Sequence, residues 1–293
     1  AADVYRNVLR VAPPETHWPE PLREQLQHAK DAVAAYTNAY SDFLERTLAL
    51  PRAALSAAVQ ERWTEAASIM AGRTQPYLSN TNQLNVPRLP AVPFFDRSLF
   101  PWAEKVEAHT DAIRTELIAA LEAQKQAFTP YIEYKPGEPV NQWADLNHSE
   151  RWSTYALWRG GQPVADNLKH CPVTRMALAE ADLVEIDGLC PNAMFSALSP
   201  HTHIPPHHGE TNARIVVHLP LIVPPNCRFR VGNEERVWEK GKAWVFDDTI
   251  EHEAYNGSDE TRVILIFNIW RPELSADERG LTMAFTGVRV FRH

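Results

Sequence analysis

The stretch RVILIFNIW, from Arg262 to Trp270, decides the fold. Its apolar, β-branched side chains predict a largely buried strand. Similar short runs precede it at Trp152–Trp158, Ala193–Leu198, Ile215–Val223, Arg228–Val231 and Ala243–Phe246. Proline, glycine and asparagine separate the runs, and no βαβ alternation is visible. The sequence therefore predicts an α+β protein whose core is a double-stranded β-helix, an antiparallel jelly-roll or cupin-like barrel with helices packed on its outside.

The first third of the chain predicts helices. Apolar residues recur at helical spacing from Leu22 to Leu48, and Pro51 is expected to end that helix. Further helices are predicted over residues 1–12, 52–72 and 102–128. Helices separated by proline-rich breaks resemble the end of a helical repeat array. We therefore predict a helical N-terminal region over 1–72, a proline-rich connector over 73–101 and the barrel domain over 102–293.

Composition and charge exclude several classes of protein. Apolar residues make up 44% and charged residues 23% of the chain, as in folded globular proteins. The net charge of −8 disfavours binding to nucleic-acid phosphates. No apolar run approaches the roughly 20 residues that span a bilayer, and three scattered cysteines favour a reducing compartment. We expect a cytoplasmic protein without a membrane span or a nucleic-acid partner.

Two histidines carry the chemical hypothesis. His207 precedes a turn glycine in PHHGETN, residues 206–212, and His252 follows 45 residues later. Two imidazoles that face each other across a barrel suit the Fe(II) of oxygenases, which usually takes one carboxylate as well. Residue 209 is glycine, so this register lacks the acid. The neighbouring register, His208-Gly209-Glu210, supplies both a histidine and an acid, and the residues alone leave the two registers open.

Charged residues on apolar strands indicate an anionic ligand. Strand alternation places Arg214, Val216 and His218 on one face and the intervening residues on the other. A cation and an imidazole on an otherwise apolar face are costly to bury without an anionic partner; a structural salt bridge is the alternative. Arg262, at the mouth of a buried strand, suits bidentate binding of a carboxylate, as in iron/2-oxoacid oxygenases. A surface arginine is the alternative there.

Other side chains are candidates for supporting roles. Asp247 and Asp248 follow an apolar strand shortly before His252, and such acids can orient an imidazole that binds a metal. Three aromatic residues are candidates to line a substrate cleft, with a place in the core as the alternative: Trp152, Trp158 and Tyr255.

From about Leu89 to Leu274 the chain resembles the aspartyl/asparaginyl β-hydroxylase family. The resemblance rests on Pro206–Asn212, on Lys242–Asp248 with Glu251–Glu253, and on Trp270–Leu274. The segment Phe94–Trp102 also resembles the entry to that domain. The order and spacing of these segments make the resemblance specific.

The resemblance implies an iron site of two histidines without a protein carboxylate. It therefore favours His207 and His252 as metal ligands and catalytic residues. Whether Glu210 or a water molecule fills the third iron position stays open. The implied cofactors are Fe(II), 2-oxoglutarate and O₂.

The resemblance also implies a cosubstrate site and a substrate region. Arg262 and Ser196 would hold the distal carboxylate of 2-oxoglutarate, and His218 the end nearer the metal. Arg214 would lie in the substrate region.

Two departures from the family pattern bear on the substrate. Val216 stands where relatives that act on acidic side chains carry a second arginine, and Met194 replaces an expected lysine. The loss of two positive charges weakens the case for an aspartate side chain, because a buried carboxylate without a partner is costly.

The expected function is that of a 2-oxoglutarate-dependent dioxygenase. It would hydroxylate an unactivated C–H bond, first of all on an Asp/Asn-type residue of a peptide or protein. A lipid-linked or small-molecule substrate is the alternative substrate class. Two other functions are weighed against it: a metal-dependent cupin enzyme that does not use 2-oxoglutarate, and a non-enzymatic scaffold.

Overall fold

A computed structural model describes residues 2–186 and 188–287. The chain divides into two compact units, Ala1–Pro76 and Tyr77–His293. The division falls inside the segment 73–101, the expected connector, and the predicted domain boundaries stay a prediction. Among the described residues, no helix combines the length and apolar composition needed to cross a bilayer.

The first unit is helical. Its elements are α1 (Ala2–Val11), α2 (Arg23–Arg52) and α3 (Ala57–Ala71), with 3-10 turns at Glu15–His17 and Glu20–Leu22. Helix α2 ends one residue beyond Pro51, so the proline lies in the last turn rather than closing the helix. Helix α3 ends at Gly72, whose φ of 79° is the left-handed conformation that glycine adopts without strain. Of the helix predicted over 1–12, Ala1 lies outside the described residues.

The second unit carries five helices among its described residues. These are α4 (Ala103–Ala108), α5 (Thr110–Ala123), α6 (Ala165–Lys169), α7 (Pro172–Leu178) and α8 (Ala276–Gly287). The prediction of one helix over 102–128 is wrong, because the helix is interrupted at His109 and α5 ends at Ala123. The Thr110 hydroxyl donates to the Glu107 carbonyl at 2.6 Å, a local bond that competes with helix continuation. Helices α6, α7 and α8 were not predicted.

Eleven strands are described. They are β1 (Thr129–Pro130), β2 (Trp152–Arg159), β3 (Gln162–Pro163), β4 (Ala193–Leu198), β5 (Thr202–His207), β6 (Arg214–Ile222), β7 (Cys227–Val231), β8 (Glu234–Arg236), β9 (Trp244–Phe246), β10 (His252–Asn256) and β11 (Arg262–Trp270). All six predicted strands are present within one or two residues. The predictions did not include β5 and β10, which carry the two histidines of interest, because β5 contains two prolines and β10 is largely polar.

The strands form two antiparallel sheets. A seven-stranded sheet has the order β1-β2-β4-β11-β6-β9, with β3 also paired to β2, and a four-stranded sheet has the order β5-β10-β7-β8. This is the predicted α+β class with a jelly-roll core, and that prediction is confirmed.

Strand β6 of the larger sheet separates two cores. On β6, Ile215, Val217 and Leu219 pack with residues of α4, α5 and α7. Val216 packs on the opposite face, with Phe229 of the smaller sheet. The alternation predicted for this strand is therefore confirmed, and the polar residues in phase with Val216 face the space between the sheets.

Candidate active site

The two predicted histidines meet at one end of the smaller sheet. His207 is the last residue of β5 and His252 the first of β10, and the two are directly paired across these antiparallel strands. Their ring centroids lie 4.0 Å apart, with the ring planes 53° apart. The strand register thus brings together two imidazoles that are 45 residues apart in sequence.

Both imidazoles are oriented by the backbone. Nδ1 of His207 donates to the Pro205 carbonyl at 2.8 Å, and Nδ1 of His252 donates to the Ile250 carbonyl at 3.0 Å. Each Nε2 is therefore unprotonated and has a lone pair available to bind a metal. Burial lowers the pKa of His207 to about 4 and the pKa of His252 well below its ordinary value. Both rings are neutral near pH 7, and the pair fits a divalent first-row metal.

Position 209 has no room for an acidic side chain. A Cβ atom there would lie 2.2 Å from Oδ2 of Asp248, and the Gly209 amide donates to the Asp248 carbonyl at 2.5 Å. In the other register, His208 is exposed and Glu210 is also exposed, paired with Arg214 at 3.3 Å. Within the described part of the chain, no group of three or more His, Cys, Asp or Glu side chains is arranged to hold a metal. The geometry therefore pairs His207, not His208, with His252.

The larger sheet places three polar side chains on one buried face. Arg262 opens the central strand β11, with Ser196 on β4 to one side and His218 on β6 to the other. All three side chains are buried. Nε and Nη1 of Arg262 and Nδ1 of His218 find no hydrogen-bond partner among the described residues. The Ser196 hydroxyl accepts a hydrogen bond from the Trp152 indole at 3.1 Å.

Arg262 has the properties of a receptor for an anion. It is 1% exposed, and its guanidinium carbon lies 4.9 Å from the Trp238 ring centroid. Burial lowers its pKa to about 10, which still leaves it charged near pH 7. A buried charge without a counterion costs several kcal/mol. A bound carboxylate would offset that cost through charge-assisted hydrogen bonds.

One cavity of about 620 Å³ connects the histidines with this face. All six predicted site residues line it: Ser196, His207, Arg214, His218, His252 and Arg262. Val216 and Met194, the two departures from the family pattern, line it as well. The sequence therefore identified residues that converge on a single cavity, although their chemical roles remain proposals.

Arg214 contacts two carboxylates in this cavity. Its Nη1 lies 3.4 Å from Oδ2 of Asp248, and its Nη2 lies 3.3 Å from Oε2 of Glu210. Burial raises the pKa of Asp248 to about 6, although Arg214 opposes that rise, and Oδ1 of Asp248 finds no hydrogen-bond partner among the described residues. Arg214 is therefore a partly compensated cation, unlike Arg262.

Two predictions about supporting residues are wrong. Asp247 and Asp248 do not orient His252, because the Ile250 carbonyl takes its Nδ1 proton and Asp247 pairs with Arg271 at 2.8 Å. Tyr255 does not line the cavity. Strand alternation turns it to the other face of β10, where it lies 5.0 Å from the Arg228 guanidinium. Trp152 and Trp158 do line the cavity.

Sequence reasoning missed several aromatic residues of the site, and two of them contact predicted site residues. The Trp143 ring lies 5.0 Å from the His207 ring in an edge-on contact, and Trp238 supports Arg262. Both are in segments without alternating apolar residues, so periodicity could not place them. Their large apolar rings within polar segments were the available signal.

Comparisons with known proteins give the class of this double-stranded β-helix protein, which is that of hydroxylases. The family of aspartyl/asparaginyl β-hydroxylases matches residues 107–272, more than half of this chain. The chain belongs to this family.

Named relatives include hydroxylases of different kinds. An ornithine lipid ester-linked acyl 2-hydroxylase from Rhizobium tropici is 36% identical over 202 residues, covering 68% of this chain and 67% of the relative. The human aspartyl/asparaginyl β-hydroxylase is 32% identical over 200 residues, covering 67% of this chain and 25% of the human protein. A solved cupin domain from Bordetella pertussis has a TM-score of 0.24 at 18% identity and covers 31% of this chain and 96% of that domain. This last likeness is too slight to support an argument.

Proposed function

We propose that this protein is an Fe(II)- and 2-oxoglutarate-dependent dioxygenase that hydroxylates an unactivated C–H bond. One observation carries the proposal: two imidazoles whose Nδ1 atoms donate to backbone carbonyls share a cavity with the buried guanidinium of Arg262, whose Nε and Nη1 lack partners among the described residues. A metal beside an anion receptor is the arrangement that a metal-bound oxoacid requires.

His207 and His252 would hold the iron, and Arg262 with Ser196 would hold the distal carboxylate of 2-oxoglutarate. His218 would hold the end nearer the metal. When bound, the iron would supply the chemistry of O₂, with 2-oxoglutarate converted to succinate and CO₂. The chain itself keeps both imidazoles neutral, fixes their tautomers through backbone carbonyls and excludes water from the guanidinium.

The first proposed substrate is an Asp/Asn-type residue of a peptide or protein, in keeping with the family. Arg214 is the cation available to an acidic side chain, and it already contacts Glu210 and Asp248. An acidic substrate would therefore compete with two carboxylates of the protein. This favours an amide side chain over a carboxylate within this substrate class.

A second candidate is hydroxylation of an acyl chain. Val216 and Met194 give the cavity apolar lining at two positions where charged residues were expected. The relative from Rhizobium tropici is named as an acyl hydroxylase. Matched incubations with Asn- and Asp-containing peptides and with an acyl-lipid would separate the candidates, since only the true class gains the mass of one oxygen.

The function is tested by turnover of 2-oxoglutarate. Wild type with Fe(II) and O₂ should form succinate, His252→Ala should not, and His208→Ala should behave as wild type because its side chain is exposed. Succinate formation by His252→Ala at the wild-type rate would contradict the iron assignment.

Two further outcomes identify the competing functions. Iron binding and activity that are insensitive to Arg262→Ala would favour a metal-dependent cupin that does not use 2-oxoglutarate. A wild-type protein that binds no iron after anaerobic reconstitution would favour the non-enzymatic scaffold.

A further inference from the structure

A row of aromatic rings leads from His207 to the protein surface. The ring of Trp143 lies 5.0 Å and the ring of Trp152 6.4 Å from the His207 ring, and the two indoles are 5.8 Å apart. The Tyr131 ring stacks against Trp152 at 4.2 Å. We call Trp143, Trp152 and Tyr131 the aromatic row. Each of its rings contacts the next one, from the histidine outward.

Exposure is greatest at the last ring of the row. Trp152 is 6% exposed, while Tyr131 is 47% exposed. The Trp152 indole N–H is held by the Ser196 hydroxyl at 3.1 Å, so the ring is fixed at the cavity wall. A tyrosine packed only for core stability would be expected to bury its ring more completely.

The other histidine has different neighbours. The rings nearest to His252, apart from His207, are Phe246 at 5.6 Å and Phe229 at 6.0 Å. Phenylalanine rings are difficult to oxidise, whereas indole and phenol rings lose an electron readily. The oxidisable rings that contact the histidine pair directly are therefore on the His207 side, where the row ends at the exposed Tyr131. Trp238 lies farther from the pair, with its ring 5.4 Å from the Phe229 ring.

This asymmetry matters because the proposed chemistry generates a strong oxidant. When substrate is present, the oxidant is consumed by the C–H bond. When substrate is absent, it would attack the nearest side chains, and a site must control such competing reactions. Electron-rich rings beside the metal that had no exit for the oxidising equivalent would be destroyed there.

We propose that Trp152 and Tyr131, with Trp143 as a parallel first step, form a relay that carries oxidising equivalents from the metal site to the surface during turnover without substrate. The relay rests on the proposed function for its oxidant. Trp152 gives one electron to the metal-centred oxidant, and Tyr131 returns one electron to Trp152 while its phenolic proton passes to solvent. An external one-electron reductant, such as ascorbate or a thiol, then restores Tyr131 together with a proton. Two such passes and two protons return the metal to Fe(II) and release its oxygen atom as water.

Substrate-free turnover with peptide mass spectrometry tests the relay. The protein is incubated with Fe(II), 2-oxoglutarate and O₂, with limiting ascorbate, and both succinate and oxidised residues are measured. In wild type, oxidation should concentrate on Tyr131. In Tyr131→Phe, the initial rate of succinate formation should be unchanged, oxidation should move to Trp152, Trp143 and His207, and inactivation should be several-fold faster.

Tyr134→Phe is the matched control. Tyr134 lines the same cavity, but no ring contact joins it to the aromatic row within the described part of the chain. It should keep the wild-type pattern of oxidation and the wild-type lifetime. Succinate formation together with an unchanged oxidation pattern and lifetime in Tyr131→Phe would overturn the relay.

A second measurement separates the relay from the proposed function. Azidyl radicals, generated by pulse radiolysis, oxidise tryptophan without iron or 2-oxoglutarate. The metal-free wild type should then show transfer from tryptophan radical to tyrosyl radical, with a smaller tyrosyl yield in Tyr131→Phe but not in Tyr134→Phe. Absence of succinate in every protein would contradict the proposed function, whereas equal tyrosyl yields in all three would contradict the relay.

Discussion

Replacing Arg262 by methionine should change stability and cosubstrate binding in opposite directions. Arg262 is 1% exposed, and its Nε and Nη1 have no hydrogen-bond partner among the described residues. The guanidinium lies over the Trp238 ring, 4.9 Å from the ring centroid. In the ligand-free protein it is a buried charge without a counterion. Methionine fills a similar volume without that charge.

The magnitudes follow from these contacts. Two charge-assisted hydrogen bonds to a carboxylate contribute about 1.5–3 kcal/mol each. Their loss, taken as about 3–4 kcal/mol, corresponds to a roughly 100- to 1,000-fold rise in the Kd for 2-oxoglutarate. Replacing buried charge by well-packed apolar side chains stabilises proteins by about 1–4 kcal/mol. The ligand-free variant should therefore melt higher, by about 2–4 °C for each kcal/mol.

Calorimetry and thermal unfolding measure the two effects. The Kd is determined anaerobically with Fe(II), and Tm is followed with and without 2-oxoglutarate. Wild type should gain Tm on adding the cosubstrate, since a ligand that binds only the folded state stabilises it. The Arg262→Met variant should gain little.

Arg228→Met is the matched control. Arg228 also lies over an aromatic ring, at 5.0 Å from the Tyr255 centroid, but its side chain is 55% exposed and does not line the cavity. It should leave the Kd unchanged. The reasoning is refuted if Arg262→Met binds 2-oxoglutarate within a few-fold of wild type, or if its ligand-free form melts lower, because the guanidinium would then be structural.

Three further changes test other parts of the site and its frame. Burial holds the pKa of His207 at about 4, below its ordinary 6.5, so the metal-free protein should lose stability as pH falls from 6.5 to 4. Urea unfolding across that range should show a smaller loss in His207→Gln, but not in the exposed neighbour variant His208→Gln. Gly209→Ala, whose methyl group would lie 2.2 Å from a carboxylate oxygen, should lower both Tm and affinity for iron in a binding titration. Asp247→Asn should cost about 1.5–3 kcal/mol of unfolding free energy, because it weakens the charge-assisted bond to the fully buried Arg271, which keeps Glu273 as its remaining carboxylate partner.

Strands could be predicted from the sequence where their side chains alternate between apolar and polar or are continuously apolar. The phase of β6 followed from alternation because one face packs on helices and the other faces the smaller sheet. Strand β5 was not predicted because Pro205 and Pro206 have no backbone N–H to donate to a neighbouring strand, which argues against a central strand. The break at His109 lies beside a hydroxyl bond from Thr110 to the Glu107 carbonyl, which hydrophobic spacing does not reveal.

The resemblance favoured His207 as the partner of His252, and the structure supplies the physical reason. Residue types suggested an imidazole pair, but the choice between His207 and His208 depends on strand register, and a slip of one residue would turn the other ring inward. The register is fixed by contacts between β5 and β10 that are distant in sequence. The same holds for Gly209, whose small size is explained by the approach of Asp248 from the loop after β9.

Two arginines flank the strand β11, and their partners separate a structural role from a ligand-directed one. Arg262 begins the strand and Arg271 directly follows it, and both are almost completely buried. In sequence they are equivalent, since each is a cation beside the same apolar run. Arg271 pairs with Asp247 at 2.8 Å and with Glu273 at 3.2 Å, and it also donates to the Pro90 carbonyl. Arg262 packs against the face of a tryptophan ring and has no carboxylate among its described contacts. Because an unneutralised buried cation destabilises a fold, its presence on the cavity wall is best explained by an anion that arrives from outside the protein.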